Sequence, residues 1–346
     1  MTPKLVLAPM QEVTHLPFMK VLHRYGDPDV YFTEYFRVHV HSKLTRHILR
    51  SIDENPTGKP VFAQMIGQDP ALLAETARQL QDHPIAGVDL NLGCPAPVVC
   101  TKNAGGGLLR DHAKIHAILT SLSEACACPF TVKTRVGFES PDEFGALLDV
   151  FRQYPLAGVA IHGRTVRELY ATSIHYDCIR QAVETLDCPV YANGNIISVR
   201  TADLTMRATA AAGLMVGRGA IRNPWLFAQI RYFLETGETP PMPTLADLRS
   251  YIEALYRETR DERFPVFKHI RRMKRYLNYI GPGIGEDGAF LHEIRRAETE
   301  VDFFNICDRH LANERFLPVE PPPSSVFAGV LPPARQQLPN KGPETP

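Results

Sequence analysis

Short runs of apolar and β-branched residues recur along this chain, and stretches with helical periodicity lie between many of them. Strands that alternate with helices in this way predict a parallel sheet. Eight such units within roughly 220 residues match the count of a closed (β/α)8 barrel. The predicted strands span residues 5–8, 30–33, 61–66, 87–92, 130–136, 158–162, 190–193 and 213–216. The clearest predicted helices span residues 71–81, 113–125, 141–153 and 179–185.

A doubly wound open sheet is the alternative architecture. It would be expected to have about six strands and a glycine-rich G-x-G-x-x-G turn after the first strand. Here the first strand runs into Leu-Ala-Pro-Met at residues 7–10, which lacks that turn. We therefore predict an α/β fold in which residues 1–240 form a (β/α)8, or TIM, barrel.

The chain changes character after a Gly/Pro-rich stretch at residues 237–243. Two apolar stripes at helical spacing follow, with no strand pattern between them, and predict a small all-helical domain over residues 244–316. Residues 318–346 hold 9 of the 29 prolines and predict an extended, mostly disordered tail. The stripes consist of Leu248, Ile252, Leu255 and Tyr256, and of Phe267, Ile270, Met273 and Leu277.

Charge and cysteine content narrow the class of protein. Lys+Arg and Asp+Glu each number 38, so bulk charge cannot hold nucleic acid and any such site needs a local basic patch. The seven cysteines follow no disulfide framework, which favours reduced thiols and a cytoplasmic location. Cys126 and Cys128 form the one close pair, without partners at zinc-binding spacing, so no metal site is expected. No stretch approaches the ~20 apolar residues of a membrane span.

Polar or special groups stand at all eight predicted strand ends, where a barrel of this type forms its active site. The last two ends, at residues 193–195 and 217–219, are Asn-Gly and Gly-Arg-Gly turns with accessible backbone N–H groups. The loops after the seventh and eighth strands are this barrel's usual phosphate site, and Arg218 adds a fixed charge there. The alternative is that these are two ordinary tight turns.

Lys133, His162 and Gln64 favour a phosphate-bearing cofactor over ordinary turns. A lysine beside a flavin ring stabilises the negative charge of the reduced ring at N1/O2, and a glutamine can bond the polar edge of the ring. Without a cofactor, Lys133 would be a buried cation with no evident partner.

Cys94 ends the fourth strand within Asn-Leu-Gly-Cys-Pro. A thiol is mostly protonated at neutral pH and can therefore donate a proton. A buried structural cysteine is the alternative. The glycine run at residues 105–107 lacks the P-loop pattern, and we expect it to form a mobile turn beside Cys94.

These motifs together resemble the tRNA-dihydrouridine synthases, flavin-dependent reductases of uridine in the tRNA D-loop. The resemblance covers about residues 4–315. It implies that the barrel of residues 1–240 is the FMN-binding catalytic domain and that the helical domain of residues 244–316 binds tRNA. One difference is that the lysine common shortly after Cys-Pro in the family is absent here, and Lys102 lies further on. The matching segments are residues 7–10, 33–34, 64 with 67, 91–95, 132–135, 162–165, 192–194 and 216–219.

The resemblance implies a role for each site residue. NADPH would reduce FMN, the flavin N5 would pass a hydride to uracil C6, and Cys94 would protonate C5. The cofactor would contact Pro9, Met10, Gln11, Gln64, Lys133, His162, Asn193, Gly194, Asn195, Gly217 and Arg218. The tRNA would contact Arg37, Asn91, Arg135, Arg164, Tyr170, Lys268, Arg271, Arg272, Lys274 and Arg295.

A basic stripe supports the tRNA partner. Lys268, Arg271, Arg272 and Arg275 fall on one face of a predicted helix, although such a stripe is often only a solvated surface. Arg37, Arg272, Lys274 and Arg295 resemble the branch of the family that modifies uridine 16. We expect a monomer without a stable protein partner. Two other functions stay open, a flavin reductase of a free small molecule and a non-catalytic RNA-binding protein.

Overall fold

The computed structural model describes residues 2–322 and 325–327, and within them nine parallel strands form one sheet. These strands occupy eight positions, or staves, around a barrel, because two short strands share the second position. Helices lie between the staves, which confirms the predicted (β/α)8 fold. The strands are β1 Lys4–Leu7, β2 Tyr31–Phe32, β3 Phe36–Arg37, β4 Val61–Ile66, β5 Gly87–Leu92, β6 Phe130–Arg135, β7 Gly158–His162, β8 Val190–Asn193 and β9 Gly213–Val216.

The second stave is broken into two short strands, β2 and β3, which both pair with β4. The barrel closes between this stave and β1 through a parallel bridge of Val6 with Val30. The Leu7 amide donates to the Val30 carbonyl at 3.0 Å on the same seam. The remaining staves follow chain order from β4 to β9, and β9 pairs with β1.

Side chains alternate along each strand between the helices outside and the interior of the barrel. The lower interior is apolar and contains Val6, Phe32, Ala160 and Met215, with Phe62 and Tyr191 packed against them. Nearer the carboxyl ends, the inward positions become polar on neighbouring strands. The strand register therefore gathers the polar residues predicted at the strand ends at one mouth of the barrel.

Helices fill the crossovers between the strands. α3 begins at Pro70, and the Asp69 side chain caps it by accepting from the Leu72 amide at 3.0 Å. The predicted helix over 141–153 is a 3₁₀ turn, Pro141–Glu143, that continues into an α-helix. The helices around the barrel are α1 Leu16–His23, α2 Arg46–Asp53, α3 Pro70–Leu80, α4 Pro97–Cys100, α5 His112–Ala125, α6 Phe144–Phe151, α7 Tyr176–Thr185, α8 Val199–Thr209, α9 Arg218–Arg222 and α10 Leu226–Thr236.

Among the described residues after the barrel lie the helices α11 Leu245–Thr259, α12 Val266–Ile280, α13 Ala289–Ile294 and α14 Glu300–Leu311. α11 packs on α1, and the second predicted stripe buries Ile270, Met273 and Leu277. Phe267 differs from that prediction because it is 52% exposed, one position off the buried face of α12. The buried Arg222 joins the barrel to this region by donating to the carbonyls of Ile280 and Pro282 at 3.0 and 2.7 Å.

The first part of the predicted disordered tail is packed against the barrel. Glu320 accepts from Arg200 at 2.8 Å and from Ser198 at 2.9 Å. Phe327 is 1% exposed and packs with Ile197. The prediction of disorder is therefore wrong for residues 318–322 and 325–327, and for the rest of the tail it lies outside the described residues. An ion pair and one aromatic side chain hold a segment that proline content alone predicts to be free.

Candidate active site

A cavity of about 730 Å³ opens at the carboxyl ends of the barrel strands and is bounded on one side by α12. Its size lies within the range of roughly 300–1,000 Å³ typical of cofactor and small-molecule sites. It brings together most of the residues predicted to hold a cofactor. Those lining it are Pro9, Met10, Gln11, Lys133, His162, Asn193, Gly194, Asn195, Gly217 and Arg218.

Lys133 points into this cavity from the end of β6. Its Nζ donates to Asn193 Oδ1 at 3.3 Å, and Asn193 in turn donates to the Met215 carbonyl at 2.7 Å. Burial and the charge of Arg135 lower the pKa of Lys133 to about 8, although Asp89 and Cys94 oppose the shift. Lys133 is therefore a cation at neutral pH, held in one orientation at the wall of the cavity.

His162 stands beside it at the end of β7. Its Nε2 lies 3.2 Å from Arg164 Nη1. Since a guanidinium only donates, Nε2 is the acceptor and the ring hydrogen sits on Nδ1. Burial lowers the pKa of His162 well below its ordinary value, and the charges of Arg135 and Lys133 add to the shift. His162 is therefore a neutral ring in the cavity wall.

The turns after β8 and β9 form the end of the cavity predicted to take a phosphate. Gly194 has φ +129°, which favours glycine, and a side chain at Gly219 would collide with the Ile196 carbonyl oxygen. Arg218 donates to Asn195 Oδ1 at 3.3 Å and to the Val326 carbonyl at 2.6 Å. A charged, hydrogen-bonded guanidinium and two tightly packed turns thus meet here.

Tyr170 lines the same cavity and is 44% exposed. The guanidinium carbons of Arg218 and Arg135 lie 4.8 and 5.2 Å from its ring centroid. Its ring is also tilted against His162, with centroids 5.8 Å apart. Tyr170 thus offers an aromatic face that cation–π contacts hold at the mouth.

Cys94 lies in the loop after β5, and its side chain is partly exposed. Its backbone amide donates to Asn91 Oδ1 at 2.9 Å, and its carbonyl accepts from the Gly106 amide at 3.0 Å. The glycine run belongs to a buried 3₁₀ helix, Gly105–Arg110, and a Cβ at Gly106 would lie 2.9 Å from the Cys94 carbonyl oxygen. The run therefore packs under the cysteine loop, which corrects the prediction of a mobile turn.

Gln64 and Asn91 lie beneath the cavity surface. Gln64 is fully buried, and its Oε1 accepts from Asn91 Nδ2 at 2.9 Å. Gln64 Nε2 donates to Asp89 at 2.7 Å, so one amide hydrogen of each side chain is used inside the protein. A contact of these two residues with a bound molecule can use the second amide hydrogen of either one, or the second lone pair of Gln64 Oε1.

Arg135 and Arg164, predicted to contact the substrate, are almost fully buried. Arg135 donates to the carbonyls of Gly93, Thr165 and Leu169 at 2.8–2.9 Å. Arg164 donates to the Thr172 carbonyl at 2.7 Å as well as to His162. In this structure both residues hold the loops after β5 and β7 and do not line the cavity.

The loop after β1 forms another wall. Gln11 lines the cavity, and its buried Oε1 has no hydrogen-bond partner among the described residues. Glu12 has φ +62° and pairs with Arg275 of α12. The Tyr276 hydroxyl donates to the Val13 carbonyl at 3.1 Å, so α12 is docked on this wall.

The predicted tRNA-contacting cations differ in their surroundings. Arg37, Lys268, Arg271 and Arg295 are exposed, whereas Arg272 and Lys274 are half-buried. Arg272 donates to the Thr259 carbonyl at 3.3 Å. Arg295 follows α13 and lines the cavity, and its Nε donates to Asn278 Oδ1 of α12 at 3.0 Å. This bond joins α12 to the end of α13 at the cavity wall.

Several residues of the site were not predicted from the sequence. Asn278 and Tyr279 line the cavity from α12, and Val326 lines it from the tail. Their contribution depends on how the C-terminal helices fold back over the barrel, which local patterns do not encode. Asp89 lies two residues before Asn91 on β5, so the two side chains point to the same side of the strand. That spacing could have identified Asp89 from the sequence.

Two other properties concern the part of the chain that the structure describes. There, no group of three or more His, Cys, Asp or Glu side chains is arranged to hold a metal ion. Its helices are also too short or too polar for any of them to cross a bilayer.

The fold and this site define a (β/α)8 barrel with a cationic cavity at the strand carboxyl ends, the place where barrel enzymes have their active sites. The dihydrouridine synthase (Dus) family profile matches residues 6–314. The chain belongs to that family.

Individual relatives agree with this assignment. The chain is 33% identical over 302 residues to tRNA-dihydrouridine synthase B of Xanthomonas axonopodis pv. citri, covering 86% of this chain and 89% of that protein. It is 32% identical over 311 residues to tRNA-dihydrouridine(16) synthase of Haemophilus ducreyi, covering 87% and 93%. Histamine dehydrogenase of Rhizobium sp. 4-9 shares the fold at a TM-score of 0.52 and 12% identity, over 72% of this chain and 49% of the other.

Proposed function

We propose that this protein reduces a uridine of the tRNA D-loop to 5,6-dihydrouridine, with FMN as cofactor, NADPH as reductant and the cytoplasm as its location. The observation that carries the proposal is a cysteine in the loop after β5 and a lysine on the neighbouring strand β6, in a chain of the dihydrouridine synthase family. The relatives named tRNA-dihydrouridine synthases support tRNA as the substrate.

The cavity residues fit FMN. Gln11 Oε1 is a buried acceptor with no partner in the part of the chain that the structure describes, and it would suit an N–H of the flavin ring. Arg218 and Asn195, with the Gly194 and Gly217 turns, would hold the phosphate end. Pro9, Met10, Gln64 and His162 would surround the ring. When bound, FMN supplies the hydride that adds to C6 of the uracil.

The chain's own residues would complete the reaction. Lys133 provides a fixed cation next to the place where negative charge develops, which stabilises that charge. Cys94 donates a proton to C5 of the uracil, so the C5–C6 double bond gains one hydride and one proton in total. Asn91 and Tyr170 would hold the base and its nucleotide. The exposed cations of α12 would bind the tRNA backbone.

The branch of the family is a separate part of the proposal. Arg37, Arg272, Lys274 and Arg295 support uridine 16 as the target. Because the chemistry is the same at every D-loop position, the orientation of the tRNA over the mouth must select the uridine. The relatives include both a synthase B and a uridine-16 synthase at similar identity.

Two measurements on the purified protein test the proposal. Denaturation should release FMN, and a release of FAD or of no flavin would contradict the cofactor. Incubation with NADPH and unmodified tRNA should add the mass of two hydrogens to one uridine. A flavin-loaded protein that reduces a free pyrimidine or enone and does not bind tRNA would instead be a small-molecule reductase.

A further inference from the structure

A buried chain of hydrogen bonds runs beneath the cavity and ends at the cysteine loop. At one end, Thr131 Oγ1 and Gln64 Nε2 both donate to the Asp89 carboxylate at 2.7 Å. Asn91 Nδ2 then donates to Gln64 Oε1 at 2.9 Å. At the other end, the backbone amides of Gly93 and Cys94 donate to Asn91 Oδ1 at 3.0 and 2.9 Å.

The register between the barrel strands creates this chain of hydrogen bonds. Gln64, Asp89 and Thr131 are paired neighbours on β4, β5 and β6, so their side chains point inward in one row. Asn91 lies two residues further along β5 and points to the same side. Asp89 and Gln64 are 0% exposed and Asn91 is 7% exposed, so water does not compete for these bonds.

The donors in this chain of hydrogen bonds all point one way, toward Asp89, and Asp89 determines that direction. The oxygen and nitrogen ends of an amide have nearly the same shape, so the partners of an amide decide which way it faces. An ionised carboxylate only accepts hydrogen bonds. Gln64 must therefore turn Nε2 toward Asp89 and Oε1 toward Asn91. Asn91 must then turn Nδ2 toward Gln64, which leaves Oδ1 for the two backbone amides.

We propose that Asp89 is a positioning residue that holds the Cys94 loop in its reactive geometry by setting the direction of both amides. The inference rests on the proposed role of Cys94 as proton donor. Asp89 does not contact the substrate and acts only through Gln64 and Asn91. Burial raises the pKa of Asp89 to about 6, with hydrogen bonds from Thr131 and Gln64 opposing the shift, so the carboxylate is ionised at neutral pH.

Removal of this acceptor leaves a buried donor without a partner, which is unfavourable. Without the carboxylate, nothing fixes the direction of the Gln64 amide, and a reversed Gln64 would place two donors face to face at Asn91. If Asn91 also reverses, its N–H groups meet the amides of Gly93 and Cys94, and both loop bonds are lost. The alternative is that these two backbone amides hold Asn91 in place by themselves.

Hydrogen–deuterium exchange separates these outcomes without any measurement of activity. In Asp89→Leu, we expect the amides of Gly93 and Cys94 to lose protection while those of β7 and β8 keep theirs. Asp89→Asn should retain protection, because its oxygen can accept from Gln64 while Thr131 Oγ1 donates to the Val88 carbonyl, now 3.4 Å away. Thr131→Val is the matched control, since it removes a neighbouring donor and leaves the Asp89 acceptor in place.

Turnover gives a second readout. Asp89→Leu should lower kcat by about 10²-fold, the low end of a general acid's contribution, and leave KM for tRNA nearly unchanged. Asp89→Asn should restore most of kcat.

Protected amides at Gly93 and Cys94 in Asp89→Leu would overturn the inference, as would equal loss in Asp89→Leu and Asp89→Asn. If Asp89→Leu does not fold, Gln64→Met cuts the same chain one link further on and should expose the same two amides. Protection in that variant would overturn the inference equally. The exchange result stands even if the wild type fails to reduce tRNA, so failure of the proposed function remains distinguishable.

Discussion

Cys94 lies in the loop that follows β5, at the carboxyl ends of the strands, whereas Cys126 lies between α5 and β6 at the opposite end of the barrel. Cys94→Ala should therefore retain flavin and tRNA but lower turnover by about 10²–10⁴-fold, the usual contribution of a general acid. Cys126→Ala is the control and should be nearly neutral. Single-turnover assays with prereduced enzyme measure this step. Wild-type turnover in Cys94→Ala would refute its role as proton donor.

Glu34 gives a prediction about stability and pH. It is 2% exposed, and burial raises its pKa from the ordinary 4.5 to about 7. The folded state thus binds the proton more tightly, so the contribution of Glu34 to stability is present below pH 4.5 and is lost as pH rises to 7. The loss amounts to about 3 kcal/mol.

Glu34→Gln cannot ionise and should therefore unfold at higher urea concentration than wild type at pH 8. At pH 4.5 the two proteins should differ much less. Urea unfolding at both pH values measures the free energies directly. The same difference at both pH values would mean that ionisation of Glu34 is not the cause.

The packed part of the tail, residues 318–322 and 325–327, gives a prediction for a whole segment. Truncation after Leu317 removes the Glu320 pair with Arg200 and the burial of Phe327, which is worth about 1.5–3 kcal/mol. The melting temperature should fall by several degrees, and flavin should dissociate faster because Val326 leaves the cavity wall. A chain ending at Phe327 is the control. An unchanged melting temperature after the longer truncation would show that these contacts add nothing.

The basic face of α12 gives a prediction about tRNA binding. Replacing Lys268 and Arg271 with Ala should reduce the slope of log K against log salt by about one unit per lost phosphate contact. The control replaces Arg78 and Arg152, two exposed cations near the outer barrel helices. Binding titrations at several salt concentrations measure both slopes. An unchanged slope for Lys268 and Arg271, or equal changes in both pairs, would contradict the proposed contact surface.

The sequence predicts the barrel well because strand spacing and inward alternation are local patterns. It also predicts most of the cavity, since Lys133, His162 and Arg218 stand at strand ends. It does not predict that Asn91 donates to Gln64 and Gln64 to the Asp89 carboxylate, because those bonds depend on the register between strands. Nor can it predict the docking of Glu320 on Arg200, 120 residues away along the chain.

For the molecule as a whole, barrel and helices together must present one uridine to the cavity. The most direct test is a map of dihydrouridine in tRNA from cells that lack their own synthases and express only this protein. We predict dihydrouridine at position 16 with the wild type and none with Cys94→Ala. Modification at position 20 alone would correct the branch and leave the reduction intact. No dihydrouridine at any position, from a protein that carries flavin and binds tRNA, would contradict the proposed function.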